Sequence, residues 1–479
     1  MPDDPSPTLC AVSRSLAHES AEQHVTGAAL YVDDVPEPYG CLHLALGQSA
    51  VAHARIKAMD LEPVRAAPGV VAVYEARDIP GENNVGPVAH DDPLFADGLV
   101  QYVGQSLFVV AATSTAAARK AARLAVVDYE PLPAAITIAD ALAADLKIEA
   151  TQTMQRGDAD AALTTAPHRL QGQLEIGGQD HFYLEGQVAL AVPGEARGLR
   201  LLSSTQHPSE VQHLVAHLLG LEHHHIHVEV RRLGGAFGGK ETQAALIAAA
   251  AALVAAKTGR PAKCRLDRDD DMVMTGKRHD FTAGYDVGFD AEGRIQGIVI
   301  ELASRCGYSL DLSSAINDRA MFHADNCYFL QDVRIVSHRL KTDTVSNTAF
   351  RGFGGPQGML AIERVMQDIA AVLRLDPLQV RQVNLYGPGR DVTPYHMTVE
   401  DNVAPQLIDE LVQSSDYLAR REAIAAFNAG SQAIKRGIAL TPVKFGISFT
   451  TTHLNQAGAL VLVYTDGSIL LNHGGVEMG

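Results

Sequence analysis

The chain has 479 residues, 47% of them hydrophobic, and a formal net charge of −17, which is material for about three packed domains. No Lys/Arg cluster breaks the acidic balance, so neither nucleic acid nor an anionic membrane surface is an expected partner. The longest apolar run, residues 244–256, is too short to cross a bilayer and reads as a buried helix. Residues 1–20 are polar and read as a loose segment with no secretory signal, so a cytoplasmic location is expected. Over 21–135, short strands at 42–46, 70–74, 107–112 and 124–129 surround a helix at 115–123, a small α+β domain with no chemistry of its own. Residues 150–390 alternate strands with helices at 208–219, 242–257 and 357–374. Gly387-Pro388-Gly389-Arg390 marks a linker. A third unit, 405–479, opens with helical segments over 405–428 and continues as strands at 446–451, 459–465 and 469–472. The five cysteines are scattered and form no C-x-x-C, so neither structural zinc nor an iron–sulfur centre is expected in this chain.

Two glycine-rich loops carry the functional information: Gly234-Gly235-Ala236-Phe237-Gly238-Gly239-Lys240-Glu241, and Phe350-Arg351-Gly352-Phe353-Gly354-Gly355-Pro356-Gln357-Gly358. Each follows a β-like stretch and leads into a helix, where free N–H groups and the positive end of the helix dipole suit an anion. Gly234 to Lys240 satisfies G-x-x-x-x-G-K, but Glu241 stands where a nucleotide-binding P-loop needs Ser or Thr. A carboxylate there removes a magnesium ligand and repels phosphate, so nucleotide binding is not expected. Two loops that each place Phe beside Gly at a helix start point instead to one anionic ligand gripped from two sides.

The segments Ser204-Thr205-Gln206-His207-Pro208-Ser209-Glu210, GGAFGGKE at 234–241, NTAFRGFGGPQG at 347–358, KFGISFT at 444–450 and HGGVEMG at 473–479 resemble the molybdenum-binding subunit of xanthine dehydrogenase, in its bacterial two-subunit form. The resemblance implies an α+β fold: an α/β-hammerhead-like domain over 21–135, a first molybdopterin-binding domain over 150–390, and the start of a second over 405–479. It implies a molybdenum–molybdopterin cofactor, with FAD and [2Fe-2S] centres on a partner subunit, hence a hetero-oligomer. The implied reaction is hydroxylation of hypoxanthine and xanthine to urate with oxygen from water. It also places the family's general base beyond residue 479. No catalytic residue is therefore assigned within this chain, which is expected to be C-terminally incomplete.

Carried over position by position, the resemblance puts Gln206, Phe237 and Arg351 in the molybdenum environment, with Gly238 also at the cofactor. Pro208 sits well at the start of helix 208–219, so the Gln206 amide projects from the loop before it. Glycine at 238 removes a Cβ that would block close approach, and the Arg351 guanidinium suits an anionic pterin. Glu241 and Arg319 match the pair that faces a purine, complementary to its N–H and C=O edges. Phe353 and Phe449 match the rings that hold a flat heterocycle, one face-on and one edge-on, and Thr450 lies beside the substrate. The ordinary readings are a salt bridge for the charged pair and core packing for the phenylalanines. The alternatives are a related hydroxylase acting on aldehydes or other heterocycles, or a catalytically incomplete piece. His223-His224-His225-Ile226-His227 reads as the solvated face of a short strand, and Asp269-Asp270-Asp271 as a structural charge cluster. His181 and Glu185 fall in a family-like stretch, with no role apparent from sequence.

Overall fold

A computed structural model describes residues 14–450 and 452–479; residues 1–13 of the expected loose segment lie outside the described residues. Two sheets organise the chain. The first has seven strands, in the order Ile226–Glu229, Leu199–Ser203, Val188–Pro193, Ala262–Arg265, Leu42–Gln48, Ser106–Ala112 and Val70–Glu75. Leu42 pairs in parallel with Ala262, so this sheet runs without interruption from the N-terminal α+β unit into the next one. The second has five strands: Gln152–Arg156, Asp332–Lys341, Ile295–Gly307, Phe281–Phe289 and His168–Ile176.

Each sheet is covered by a helix that leads out of a glycine loop. Helix Ala244–Thr258 is buried on all sides over most of its length. Its alanines let it lie close to strand Val188–Pro193 and helix Pro208–Leu219 within one core. Helix Gly355–Leu373 is amphipathic, and it buries Ile362, Val365, Met366 and Ile369 in one core with the second sheet, next to strands Phe281–Phe289 and His168–Ile176. Both helices are thereby fixed with their N-terminal ends, and the loops before them, at one place.

The C-terminal region departs from expectation in two respects. Helices Ala404–Ser414 and Tyr417–Gly430 form, but Ile408, Tyr417 and Leu440 join the core of the preceding unit. The strand expected at 446–451 is absent over 446–450, with Thr451 outside the described residues. The carbonyls of Gly446, Ile447 and Ser448 accept hydrogen bonds from Arg319, and this arginine takes the place of a neighbouring strand. Strands Ala459–Val463 and Ile469–His473 pair as an antiparallel hairpin. No helix among the described residues is long and apolar enough to cross a membrane.

Where the N-terminal unit meets the second, Asp92 and Asp311 line one cavity of about 20 Å³ with Tyr102, Tyr308 and Thr242. Tyr308 and Ser309 donate to Asp92, while Thr242, Thr348 and Gln243 donate to Asp311. Removal from water pushes the carboxyl of Asp92 up to about 7 and that of Asp311 up to about 6, and Asp311 raises Asp92 further. The folded protein therefore holds these protons more tightly than the unfolded chain does. This contribution to stability is complete below the ordinary carboxylate range and is lost as pH rises through 6 to 7. The unfolding midpoint should fall by several degrees between pH 5 and 8. Asp92→Asn, followed by thermal unfolding across that range, should flatten the dependence.

Candidate functional site

The two glycine loops meet backbone to backbone. The Arg351 N–H donates to the Phe237 carbonyl at 2.9 Å. At Gly238, φ is +104°, and an added Cβ would lie 2.7 Å from the Ala349 oxygen and 3.0 Å from the Phe350 nitrogen. Only glycine lets the two strands of chain approach this closely. The phenylalanines share an uncommon conformation: φ is 56° at Phe237 and 49° at Phe353, and Gly235, Gly352 and Gly354 are also left-handed. Left-handed backbone at a bulky side chain is strained and persists only where the surroundings impose it.

Gln206 closes the first loop. Its Oε1 accepts from the N–H groups of Gly238 at 2.9 Å and Lys240 at 3.3 Å, and its own N–H donates to the Lys240 carbonyl. Two amide donors oblige the side-chain oxygen to face the loop, so the NH₂ points the other way, beside Met478 Sδ at 2.9 Å. The 473–479 turn reaches the same place, because the Met478 carbonyl accepts from the N–H groups of Ala236 and Phe237. The amides of Gly352 and Gly354 and the exposed Arg351 guanidinium make no hydrogen bond to the described residues. Backbone donors left without a partner and an exposed cationic side chain at the junction of two loops fit an anionic pterin with an oxo-metal centre.

Residues that carry no local signal hold this arrangement. His181 donates from Nε2 to the Ala349 carbonyl at 2.6 Å, stacks on Phe350 with centroids 4.5 Å apart, and lies against Gly239. Burial lowers its pKa to about 4, so the ring is neutral and its one N–H sits on Nε2. Arg278 lies 3.9 Å over the same Phe350 ring, and donates to the Arg351 carbonyl and to Gln179. Lys240, fully buried, donates to Glu185 Oε2 at 3.1 Å, and the Gly234 N–H donates to the same oxygen at 2.9 Å. The lysine of the P-loop-like sequence is therefore a buried ion-pair partner that pins the loop. Removing one member strands the other without a partner, so Glu185→Ala should cost about 3–5 kcal/mol in denaturant unfolding.

Arg319, Phe353, Phe449 and Thr450 form a second group beside the first. Arg319 donates to the carbonyls of Gly446 at 2.7 Å, Ile447 at 3.2 Å and Ser448, and its guanidinium lies 5.4 Å from the Phe353 ring centroid. Thr450 donates to the Ala315 carbonyl. Phe353 and Phe449 touch each other, with centroids 5.3 Å apart and planes at 51°. A flat ring held face-on by one and edge-on by the other needs about 3.5 Å to the first ring and about 5 Å to the second centroid, so the two rings must separate beyond their 5.3 Å to admit it. Glu241 ends the first loop, its N–H donates to the Gly238 carbonyl, and its carboxylate makes no hydrogen bond among the described residues. Burial, and then Asp311, push its carboxyl up to about 7. Arg319 donates to backbone carbonyls and the Glu241 carboxylate has no hydrogen-bonded cation, so the two form no salt bridge with each other or with another described residue. The two residues are distinct from one another: Arg319 is spent largely on backbone carbonyls, whereas Glu241 is available.

Residues 143–385 match the molybdopterin cofactor-binding domain family. Residues 26–133 match the a/b hammerhead domain of aldehyde oxidase and xanthine dehydrogenase, and 410–479 match a second molybdopterin cofactor-binding domain. The chain is 42% identical over 471 residues to the xanthine dehydrogenase of Calliphora vicina, covering 98% of this chain and 35% of that protein. It is 44% identical over 469 residues to the xanthine dehydrogenase/oxidase of Felis catus, again covering 98% and 35%. The chain thus spans about a third of the length of the curated relatives it matches. Among solved structures, the aldehyde oxidoreductase of Desulfovibrio gigas is similar with a TM-score of 0.82 at 27% identity, covering 95% of this chain and 51% of that one. That of Desulfovibrio desulfuricans has a TM-score of 0.84 at 25% identity with the same coverage.

Proposed function

Since this chain belongs to the molybdopterin cofactor-binding family and is a homologue of the molybdenum-binding region of xanthine dehydrogenase, we propose that it serves in the hydroxylation of hypoxanthine and xanthine to urate. In this reading it is the molybdenum subunit of a two-subunit enzyme, and its electrons pass to an iron–sulfur/flavin chain. The observation that carries the proposal is the junction of the two glycine–phenylalanine loops, with the Gln206 amide turned so that its NH₂ faces away from them.

Gln206, the Phe237–Gly238 backbone and Arg351 would hold the cofactor, which when bound supplies the oxygen-transfer chemistry and accepts two electrons. The chain's own residues then orient the substrate. Glu241, with its carboxyl raised to about 7, carries a proton on the acidic side of neutrality and donates a hydrogen bond to a ring nitrogen or oxygen. Arg319 supplies positive charge where negative charge grows on the ring. Phe353 and Phe449, now in contact with each other, would part to hold the ring face-on and edge-on and exclude water from it.

The similarity to aldehyde oxidoreductase structures keeps a second reading in view, in which the substrate is an aldehyde. Glu241 separates the two. In protein co-produced with its iron–sulfur/flavin partner, Glu241→Gln should lower kcat/KM for hypoxanthine and xanthine by about 10–100-fold, the effect of one misplaced polar contact. Molybdenum content should not change. Equal retention of purine turnover and gain of aldehyde turnover in the wild type would favour the second reading.

A further inference from the structure

Six of the chain's 20 histidines fall within residues 213–227. The expected strand face is in fact a 3-10 turn, His223–His225, and the strand begins only at Ile226. Gln212 shapes the turn by donating from Nε2 to the carbonyls of His223 at 3.2 Å and Ile226 at 2.8 Å. Helix Pro208–Leu219 adds His213, which stacks on His223 with centroids 4.3 Å apart, and His217, whose Nε2 lies 3.5 Å from His223 Nε2. On the other side of the turn, His224 and His225 have centroids 4.2 Å apart, and Glu222 Oε2 lies 3.4 Å from His224 Nδ1. The ligand atoms of Glu222, His224 and His225 all lie within 4.8 Å of one another.

These spacings are long for hydrogen bonds. Within the Glu222, His224 and His225 group, the 3.4 Å between Glu222 Oε2 and His224 Nδ1 matches the separation of neighbouring ligands on one ion, because atoms about 2.0–2.2 Å from a tetrahedral zinc are about 3.3–3.5 Å apart, and the His225 nitrogen lies within 4.8 Å of both. Protonated imidazoles crowded in this way would repel one another, whereas a cation among neutral imidazoles turns the crowding into coordination. We propose that Glu222, His224 and His225 form a surface site for a divalent transition-metal ion of the zinc class, bound by two imidazole nitrogens and one carboxylate oxygen. Imidazole donors select zinc, nickel or copper over magnesium and calcium. The site is separate from the candidate cofactor site. The turn packs beside Gln212, His213 and His217 of helix Pro208–Leu219, and Glu222, His224 and His225 make no hydrogen bond to Gln206 or to either glycine loop.

The test uses the untagged full chain, stripped with a chelator and titrated with Zn²⁺ against a fluorescent competitor, with zinc counted by elemental analysis. The wild type should bind one Zn²⁺ per chain more tightly than any residual sites. The double variant H224A/H225A should bind it at least tenfold more weakly, with an unchanged far-UV spectrum. H213A/H217A should stay within about twofold of the wild type. The proposal is overturned if the wild type takes up no more zinc than H224A/H225A. It is overturned equally if H213A/H217A weakens binding as much as H224A/H225A does.

Discussion

Gly238→Val should leave a folded protein that retains less than about a tenth of the wild-type molybdenum. The expectation follows from two independent costs at one atom. Valine at φ +104° is forced into a conformation that costs about 1–3 kcal/mol, and a β-branched side chain makes this worse. Its Cβ would also meet the backbone of Ala349 and Phe350 at 2.7–3.0 Å, atoms with no freedom to turn aside. Relieving that overlap means separating the loops, which breaks the Arg351-to-Phe237 hydrogen bond and releases the Gln206 amide. The sheets and their covering helices lie on the far side of the loops and should survive, as far-UV circular dichroism can check. Gly259→Ala is the control. Its φ of +65° also carries a left-handed cost, though a smaller one, and nothing lies within 4 Å of the added Cβ, so molybdenum content should be unchanged.

Arg319→Met should lower purine kcat/KM by about 10²–10³-fold, the usual loss when one preorganised donor is removed from a site of developing charge. The structure adds a second reason for a large effect. Three hydrogen bonds from this guanidinium hold the carbonyls of 446–448, and the segment they hold carries Phe449 and Thr450. Methionine keeps roughly the length of the side chain but none of these donors, so the aromatic wall loses its anchor along with the charge. Arg319→Lys should recover little, because one ammonium cannot reproduce a planar fork serving three acceptors. An aldehyde substrate, which needs neither the charge nor the wall to the same degree, should be affected less. Full purine turnover in Arg319→Met would remove this residue from the account.

Helices 208–219, 242–257 and 357–374 were legible because a 3.6-residue apolar period, a proline start and glycine stops are local signals. They form over Pro208–Leu219, Ala244–Thr258 and Gly355–Leu373. The glycine loops were legible for the same reason. What holds the loops together was not. His181 reaches Ala349 across 168 positions, and Glu185 reaches Lys240 across 55. A lone histidine or glutamate has no periodicity to announce such a partner. The 446–451 segment reads as a strand by composition, yet its carbonyls turn to a side chain, a choice that only the tertiary position of Arg319 can make. The histidine run is largely solvent-exposed as expected, but His223–His225 form a 3-10 turn and not a strand, and two further histidines reach it from the preceding helix.

Anomalous diffraction at the molybdenum edge, from crystals of the cofactor-loaded protein, tests the convergence of the two loops most directly. The strongest molybdenum peak should lie in the space bounded by the Gln206 side-chain NH₂, the Phe237–Gly238 backbone and the Phe353 ring. A molybdenum peak bounded by other residues, with these loops facing elsewhere, would contradict the account.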